Sequence, residues 1–170
     1  MADRKIYEEE GQAHYLTFSC YRRRKLLNDD IHKKIVIGVL SSQLTLQEGE
    51  CFGFVVMPDH VHAIVCFPII NRISHFMKQW KQMSSRQIKN NMKMHYTSYT
   101  SDFDVNDPAW QRRYYDFNLY TEKKLVEKLK YMHENPVRGG LVDRPEDWQF
   151  SSAPFYLSGQ SCGVKIQPPE

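Results

Sequence analysis

The chain has 170 residues, a length typical of one compact domain, and its net charge of +3 is only mildly basic. Apolar residues make up 41% and charged residues 25%, as in ordinary globular proteins. No apolar run is long enough to span a membrane, and the acidic N-terminus does not resemble a secretory signal. We therefore expect one cytoplasmic domain over 1–170, with a core at about 14–142 and an irregular tail at 143–170.

The first half of the chain predicts a strand, a helix and two further strands. Residues 14–20 are rich in β-branched and aromatic types, which favour a strand. Apolar residues then recur at helical spacing over 31–46, after the capping side chains of 28–30. Two apolar runs, 51–57 and 61–67, are separated by a short Pro-Asp connection and predict a pair of adjacent buried strands.

The second half predicts a helix, a strand and a last helix. Residues 73–94 have a helical pattern, 95–108 are polar and turn-rich, and 110–119 alternate as in a strand. The last helix begins at Thr121 and ends before Pro136. Its apolar stripe consists of Leu125, Val126, Leu129 and Met132. The order β-α-β-β-α-β-α predicts an α+β fold with a ferredoxin-like split βαβ antiparallel sheet and an added C-terminal helix.

Two histidines on one predicted strand suggest a metal site. His60 and His62 are two residues apart, so their side chains lie on the same face, with Val61 directed into the core. Two imidazoles can hold a divalent ion, but the site needs a third ligand from elsewhere. Asp59 is one candidate, although an early start of the strand would direct it to the other face. The structural alternative is two histidines without any metal.

The last predicted helix contains a second pair of functional candidates. Tyr131 and Asn135 are four residues apart and share one helix face. A tyrosine hydroxyl can act as a nucleophile when a metal or base assists it, and an amide can complete a metal's coordination. The structural alternative is a half-buried tyrosine and an asparagine cap. His133 and Glu134 lie on other faces, where we expect solvated or supporting groups.

Basic side chains form three clusters that could neutralise the phosphates of a nucleic acid. They are Arg22, Arg23, Arg24 and Lys25 in the first cluster, Lys78, Lys81, Arg86, Lys89 and Lys93 in the second, and Arg112 and Arg113 in the third. For any one cluster, a solvated surface without a ligand is an equal alternative.

Three segments in this order resemble the HUH single-tyrosine transposases. They are MPDHVH at 57–62, WQRRYYD at 110–116 and YMHENPVRGGLV at 131–142. The last segment, together with DWQFSS at 147–152, resembles the REP-associated tyrosine transposase branch in particular. The similarity extends over about 14–155, which is most of the chain.

The resemblance implies both a site and a reaction. By motif, the nucleophile is Tyr131 and the metal ligands are His60, His62 and Asn135, with Mg²⁺ or Mn²⁺ as the ion. In such enzymes the tyrosine attacks a phosphodiester of single-stranded DNA, which leaves a 5′-phosphotyrosine and a free 3′-OH that can later rejoin the strands. Insertion-sequence members usually carry Gln where Asn135 stands. If the shorter side chain does not reach the metal, water or Asp59 could take its place.

The implied partner is single-stranded DNA that folds into hairpins of palindromic repeats. The basic clusters would grip its backbone, and Trp80, Tyr114 and Tyr115 could stack on unpaired bases, although helical spacing also fits Trp80 as a core residue. The tail through Trp148 favours a monomer, and a homodimer is the alternative. Two other functions stay open: a hairpin-binding regulator without catalysis, and a metal-dependent hydrolase that uses water instead of tyrosine.

Overall fold

The computed structural model describes residues 12–95 and 103–170. Within them, four strands form one antiparallel sheet. The strands are β1 (Ala13–Ser19), β2 (Glu50–Val56), β3 (His60–Cys66) and β4 (Tyr115–Leu119). Their order across the sheet is β2-β3-β1-β4. With a helix between β1 and β2 and another between β3 and β4, this is the split βαβ arrangement, so the predicted α+β fold is confirmed.

Five helices accompany the sheet in the described part of the chain. They are α1 (Asp30–Leu46), α2 (Ile73–His95), α3 (Glu122–His133), α4 (Asn135–Arg138) and α5 (Ala153–Ser158). The Asp29 carboxylate accepts a hydrogen bond from the backbone N–H of Ile31 and so caps α1, as its sequence predicts. Thr121 caps α3 in the same way. No described helix combines the length and apolar character that a membrane crossing requires.

The strand predicted at 110–119 is wrong over its first half. Only Tyr115–Leu119 pairs with β1, and Trp110 makes a single bridge to Cys20. The Trp110 indole packs edge-on against Phe18 and donates to the Lys81 carbonyl at 3.0 Å, so the chain turns into the core at this point instead of extending β4. The loop predicted at 95–108 lies partly outside the described residues, which resume at Phe103.

The two faces of the sheet are covered by different elements. Helices α1 and α2 cover one face, which contains Phe18, Val61 and Val65 among many apolar side chains. Helix α3 packs on the other face, near β2. It buries Leu125, Leu129 and Met132, which recur at one helical turn. Val126 does not join this stripe, because it is one position past Leu125 and its side chain is 48% exposed.

Gly53 lets helix α3 approach β2 closely. A Cβ atom at this position would stand 2.3 Å from Leu129 Cδ1 and 2.9 Å from Ser152 Oγ. Gly53 also lies at the irregularity where the β2–β3 register shifts. A residue with a side chain would push the helix away from the strand. Gly53 therefore permits the short distance between α3 and the sheet.

The segment 143–170 follows the outer edge of β2. The Val56 N–H donates to the Phe150 carbonyl at 2.8 Å, and the Ser152 N–H donates to the Phe54 carbonyl at 3.0 Å. The Trp148 indole donates to the Val56 carbonyl at 3.0 Å. These bonds use backbone groups of β2 that a free edge strand would leave unpaired.

Candidate active site

His60 and His62 lie side by side on the sheet face opposite to Val61. Their ring centroids are 4.8 Å apart and the planes cross at 79°. Thr17 is the direct cross-strand partner of His62 in the β1–β3 register. Thr17 Oγ1 lies 2.7 Å from His62 Nδ1, and Tyr15 Oη lies 3.0 Å from the same atom. Neighbouring strand β1 therefore holds the Nδ1 side of His62, which leaves Nε2 for another partner.

The hydrogen bonds of His60 determine its tautomer. His60 Nδ1 lies 2.6 Å from Asp59 Oδ1, and because a carboxylate can only accept, Nδ1 carries the hydrogen. The lone pair is then on Nε2, which lies 3.3 Å from Asn135 Nδ2. Asp59 is itself held by Arg23, whose Nε is 3.2 Å from Oδ2. Asp59 thus fixes the orientation of the His60 ring through Nδ1, and the unprotonated Nε2 faces Asn135.

Both imidazoles are neutral near pH 7. Burial lowers the pKa of His62 to about 3, and repulsion from His60, when that ring is protonated, acts in the same direction. Burial also lowers the pKa of His60, against the opposite effect of Asp59. Neutral imidazole is the form that binds a metal ion.

The donor set fits a divalent ion if Asn135 takes part. The described residues contain no group of three or more His, Cys, Asp or Glu side chains that could hold a metal, so the third protein ligand would have to be the Asn135 amide. A half-turn of this amide presents Oδ1 where Nδ2 now lies. Nδ1 of His60 and of His62 is engaged by polar side chains, as is usual for metal-binding histidines.

Tyr131 is half exposed on helix α3. The prediction that Pro136 terminates this helix is wrong: α3 ends at His133, and Asn135 begins the short helix α4, which contains Pro136. The Arg138 guanidinium carbon is 4.1 Å from the Tyr131 ring centroid, and its Nη2 donates to the Tyr131 carbonyl at 2.7 Å. Lys128 Nζ is 5.6 Å from the same ring and 5.2 Å from the Tyr15 ring. Burial raises the pKa of Tyr15 to about 12, and the neighbouring Tyr131 hydroxyl acts in the same direction. Tyr131 therefore lies beside the side chains that contact His62.

Four residues around this site carry no role in the sequence-based prediction. Lys128 and Arg138 flank Tyr131, and Tyr15 and Thr17 hold His62. Lys128 could have been found from its spacing, because it lies three residues before Tyr131 on the same helix. Tyr15 and Thr17 have no local signal, since they are 47 and 45 residues away from His62 in sequence.

Burial decides between the alternatives that the sequence left open for two nearby side chains. His133 is buried, not solvated, and its Nε2 lies 2.6 Å from Ser152 Oγ because the end of α3 packs against the tail. Trp80 is fully buried and donates to the Val36 carbonyl at 3.0 Å, so its ring is a core residue that DNA does not reach.

The first basic cluster borders the histidines. Arg22 and Arg23 follow β1 in a turn with positive φ values of 53° and 56°, and Arg23 reaches Asp59. Arg24 is engaged elsewhere, in a 2.5 Å ion pair with Asp107. Lys25 is exposed. This cluster therefore presents positive charge next to the candidate metal site.

Parts of the other two basic clusters line a groove between α2 and residues 106–114. The groove has a volume of about 640 Å³ and is lined by Lys78, Lys81 and Arg112. Lys81 Nζ donates to the carbonyls of Gln111 and Arg112 at 2.7 and 3.0 Å. Burial lowers the pKa of Lys81. Lys89 also lines the groove, whereas the remaining predicted residues, Arg86, Lys93 and Arg113, are exposed and do not line it.

Comparison with known proteins places these features in a family. The family model described as "Transposase IS200 like" matches residues 9–135, a range that includes all four described strands and ends at Asn135. A Haemophilus influenzae protein described as a REP-associated tyrosine transposase is 27% identical over 111 residues, which are 61% of this chain and 58% of that protein. The REP-associated tyrosine transposase of Escherichia coli is 22% identical over 152 residues, 89% of this chain and 82% of that protein.

Solved structures show the same fold. A REP-associated tyrosine transposase bound to a REP hairpin has a TM-score of 0.69 and 19% identity, over 95% of this chain and 89% of that one. A Deinococcus radiodurans protein described as a transposase has a TM-score of 0.52 and 19% identity, over 72% and 88%. These matches confirm the resemblance identified from the sequence motifs. The roles of Tyr131, His60, His62, Asn135 and the basic residues stay predictions.

Proposed function

Because this chain belongs to the IS200-like transposase family, we propose that it cleaves and rejoins single-stranded DNA next to hairpins through a covalent bond to Tyr131. The observation that carries this proposal is the 3.3 Å contact between Asn135 Nδ2 and His60 Nε2. It joins the segment that follows the tyrosine helix to the histidine pair. Tyr131 is four residues before Asn135, and we propose that this spacing lets its hydroxyl reach a phosphodiester held at the histidines.

The reaction exchanges one phosphorus–oxygen bond for another. The Tyr131 Oη atom gives up its proton and attacks the phosphorus. The bond from phosphorus to the 3′ oxygen then breaks, the 3′ oxygen takes a proton, and the 5′-phosphate remains on Tyr131. A 3′-OH that later attacks this phosphotyrosine restores a DNA phosphodiester and releases the tyrosine. No ATP is needed, because each bond broken is replaced by one of the same kind.

His60, His62 and Asn135 are the residues that would hold Mg²⁺ or Mn²⁺. Such an ion, when bound, withdraws charge from a phosphodiester and so favours attack on its phosphorus. The chain itself contributes Lys128 and Arg138, which stand over the Tyr131 ring. Both are cations, so they attract the anionic backbone towards the nucleophile and offset the charge that develops during attack.

Hairpin DNA is the partner class that we propose. The structural relative with 95% coverage of this chain is bound to a REP hairpin. The groove with Lys78, Lys81 and Arg112 has the positive charge that a duplex stem requires. Arg22 and Lys25 lie at the histidine end of the first strand, where they would contact the strand that enters the site.

The test is covalent capture of DNA. We expect labelled single-stranded hairpin DNA, incubated with the protein and Mg²⁺ or Mn²⁺, to form an adduct that survives SDS. Tyr131→Phe removes the attacking oxygen and should form no adduct. Tyr120→Phe is the matched control, since Tyr120 is an exposed tyrosine just past β4, and it should form the adduct normally. Chelation by EDTA should abolish the adduct, and added Mn²⁺ should restore it.

Each other result favours a different function. An unchanged adduct in Tyr131→Phe would rule out this tyrosine as the nucleophile. Cleavage without any adduct would indicate a hydrolase that uses water. Hairpin binding with neither cleavage nor adduct would indicate a regulator without catalysis.

A further inference from the structure

Strand β4 carries two exposed aromatic rings on the face of the sheet that contains the histidines. Tyr115 is 55% exposed and Phe117 is 39% exposed. Thr17 pairs with His62 on one side and with Tyr115 on the other. Tyr115 therefore stands in the same cross-strand row as His62, two strand spacings away, or about 10 Å. Phe117 is in the next row, beside Tyr15.

The two rings form an ordered pair. Their planes are parallel to within 5° and their centroids are 6.4 Å apart. We call Tyr115 and Phe117 the aromatic platform. Two large rings at an edge strand are costly to leave in water, and α3 leaves both of them exposed.

A lysine lies beside the aromatic platform. Lys128 Nζ lies 5.7 Å from the Phe117 ring centroid and also stands over Tyr131. Cations next to open aromatic faces suit a single strand of nucleic acid, whose bases stack while its phosphates pair with the cations. The core of a protein–protein interface is depleted of charge, so this surface fits DNA better than an apolar partner.

We propose that the aromatic platform stacks an unpaired base of the DNA strand that enters the active site. This inference deepens the proposed function and rests on it for the choice of DNA as ligand. At about 3.4 Å per stacked base, the 10 Å between Tyr115 and the histidine strand corresponds to about three nucleotides. The stacked base therefore lies within about three nucleotides of the scissile phosphate, and Lys128 is placed to contact a phosphate between the two.

The experiment separates base stacking from phosphate attraction. Binding of a fluorescent oligothymidylate is compared with binding of the same strand built from abasic sites, both in EDTA so that no cleavage occurs. We expect the wild-type protein to bind the strand with bases about tenfold more tightly. The double variant Tyr115→Ala/Phe117→Ala should bind both strands equally, because it keeps the cations and loses the rings. The variant Tyr115→Phe/Phe117→Tyr keeps both rings and should regain the preference.

Tyr120→Ala is the matched control for loss of an exposed ring. Tyr120 is 60% exposed, but it follows the end of β4 and is out of the i, i+2 alternation that puts Tyr115 and Phe117 on one face. The preference for bases should therefore remain in this variant. A tenfold preference that persists in the alanine double variant would overturn the proposal. A double variant that changes from dimer to monomer would also overturn it, because the surface would then be covered by a second copy of the chain.

Failure of the aromatic platform can be told apart from failure of the proposed function. If the wild-type protein forms the covalent adduct but binds abasic and thymidine strands equally, the proposed base stacking is wrong and the proposed nuclease activity is supported. If base-dependent binding is lost in the double variant but the wild-type protein forms no adduct, the aromatic platform is supported and the proposed chemistry is wrong.

Discussion

Strand β3 presents Val61, Ala63 and Val65 to one side of the sheet, and His60 and His62 to the other. The first side is covered by α1 and α2, and its core is mainly apolar. The second side is divided. Helix α3 packs on it near β2, whereas the region around the histidines and β4 keeps polar and exposed side chains.

This difference shows how a reactive site is held on a small domain. His60 and His62 project from a strand that is paired on both edges and backed by a dry core. Their backbone positions are therefore fixed by interactions that involve no catalytic group. Sites on strands with such support are held more rigidly than sites on loops. We expect changes at the histidines to affect chemistry, and changes in the cores under α1, α2 and α3 to affect stability.

The sharpest test uses two neighbouring residues of β3. His60→Ala should abolish the covalent adduct, while hairpin binding persists because phosphate contacts dominate affinity. Val61→Ala, on the opposite face, should form the adduct at a temperature where it is folded, but should lose about 2 kcal/mol of unfolding free energy. Adduct assays and urea unfolding of both variants measure the contrast. If His60→Ala loses binding together with cleavage, the histidines contact DNA directly or support the fold.

Two glycines offer the next largest contrast. Gly53→Ala should lower the unfolding free energy by about 2 kcal/mol and slow adduct formation, because its Cβ would meet Leu129 and lift the tyrosine helix. Gly38→Ala is the matched control. Gly38 lies within α1, where an added Cβ would meet no neighbouring group within 4 Å, so this change should raise stability by about 0.5–1 kcal/mol. Thermal unfolding of both variants tests the prediction, and a neutral Gly53→Ala would show that α3 does not depend on this close approach.

The tail should contribute a smaller effect through Ser152. Its Oγ accepts from the Phe54 N–H at 3.0 Å and lies 2.6 Å from His133 Nε2, so it ties β2 to the end of α3. Ser152→Ala leaves these buried groups without that partner and should cost about 1–2 kcal/mol of unfolding free energy. Ser42→Ala, on the exposed side of α1, should change it by less than about 0.5 kcal/mol. Equal unfolding midpoints for the two variants would contradict the anchoring role.

Much of this architecture follows from local patterns. The alternation around His60 and His62 predicts a strand with a shared face, which β3 confirms. The four-residue spacing of Tyr131 and Asn135 predicts one helix, but the helix is interrupted at Glu134 and Asn135 begins α4. Strong periodicity also predicts α1 and α2 almost to their ends. Each of these predictions depends only on neighbours in sequence.

What the sequence does not reveal depends on contacts between distant segments. Thr17 meets His62 only because of the β1–β3 register. The pattern at 110–114 favours a strand, yet burial of Trp110 in the core draws the chain away from the sheet. Tertiary packing overrides local preference in such segments. The hydrogen bond between Phe54 of β2 and Ser152 of the tail likewise joins residues that are about a hundred positions apart in sequence.

The smallest predicted effect tests whether water is excluded from the core under α1 and α2, which contains Cys51. Burial raises the pKa of the Cys51 thiol to about 12, from an ordinary value of 9. The folded protein therefore keeps a proton that the unfolded chain loses between these two values, so stability falls as pH rises through this window. At about pH 10 this loss amounts to about 1 kcal/mol for one thiol. The free energy of unfolding is measured with urea at about pH 8 and pH 10. Its decrease between these pH values should be larger in the wild-type protein than in Cys51→Ala by this amount. Equal losses would mean that water reaches Cys51, and the contrast between the two faces would then rest on packing alone.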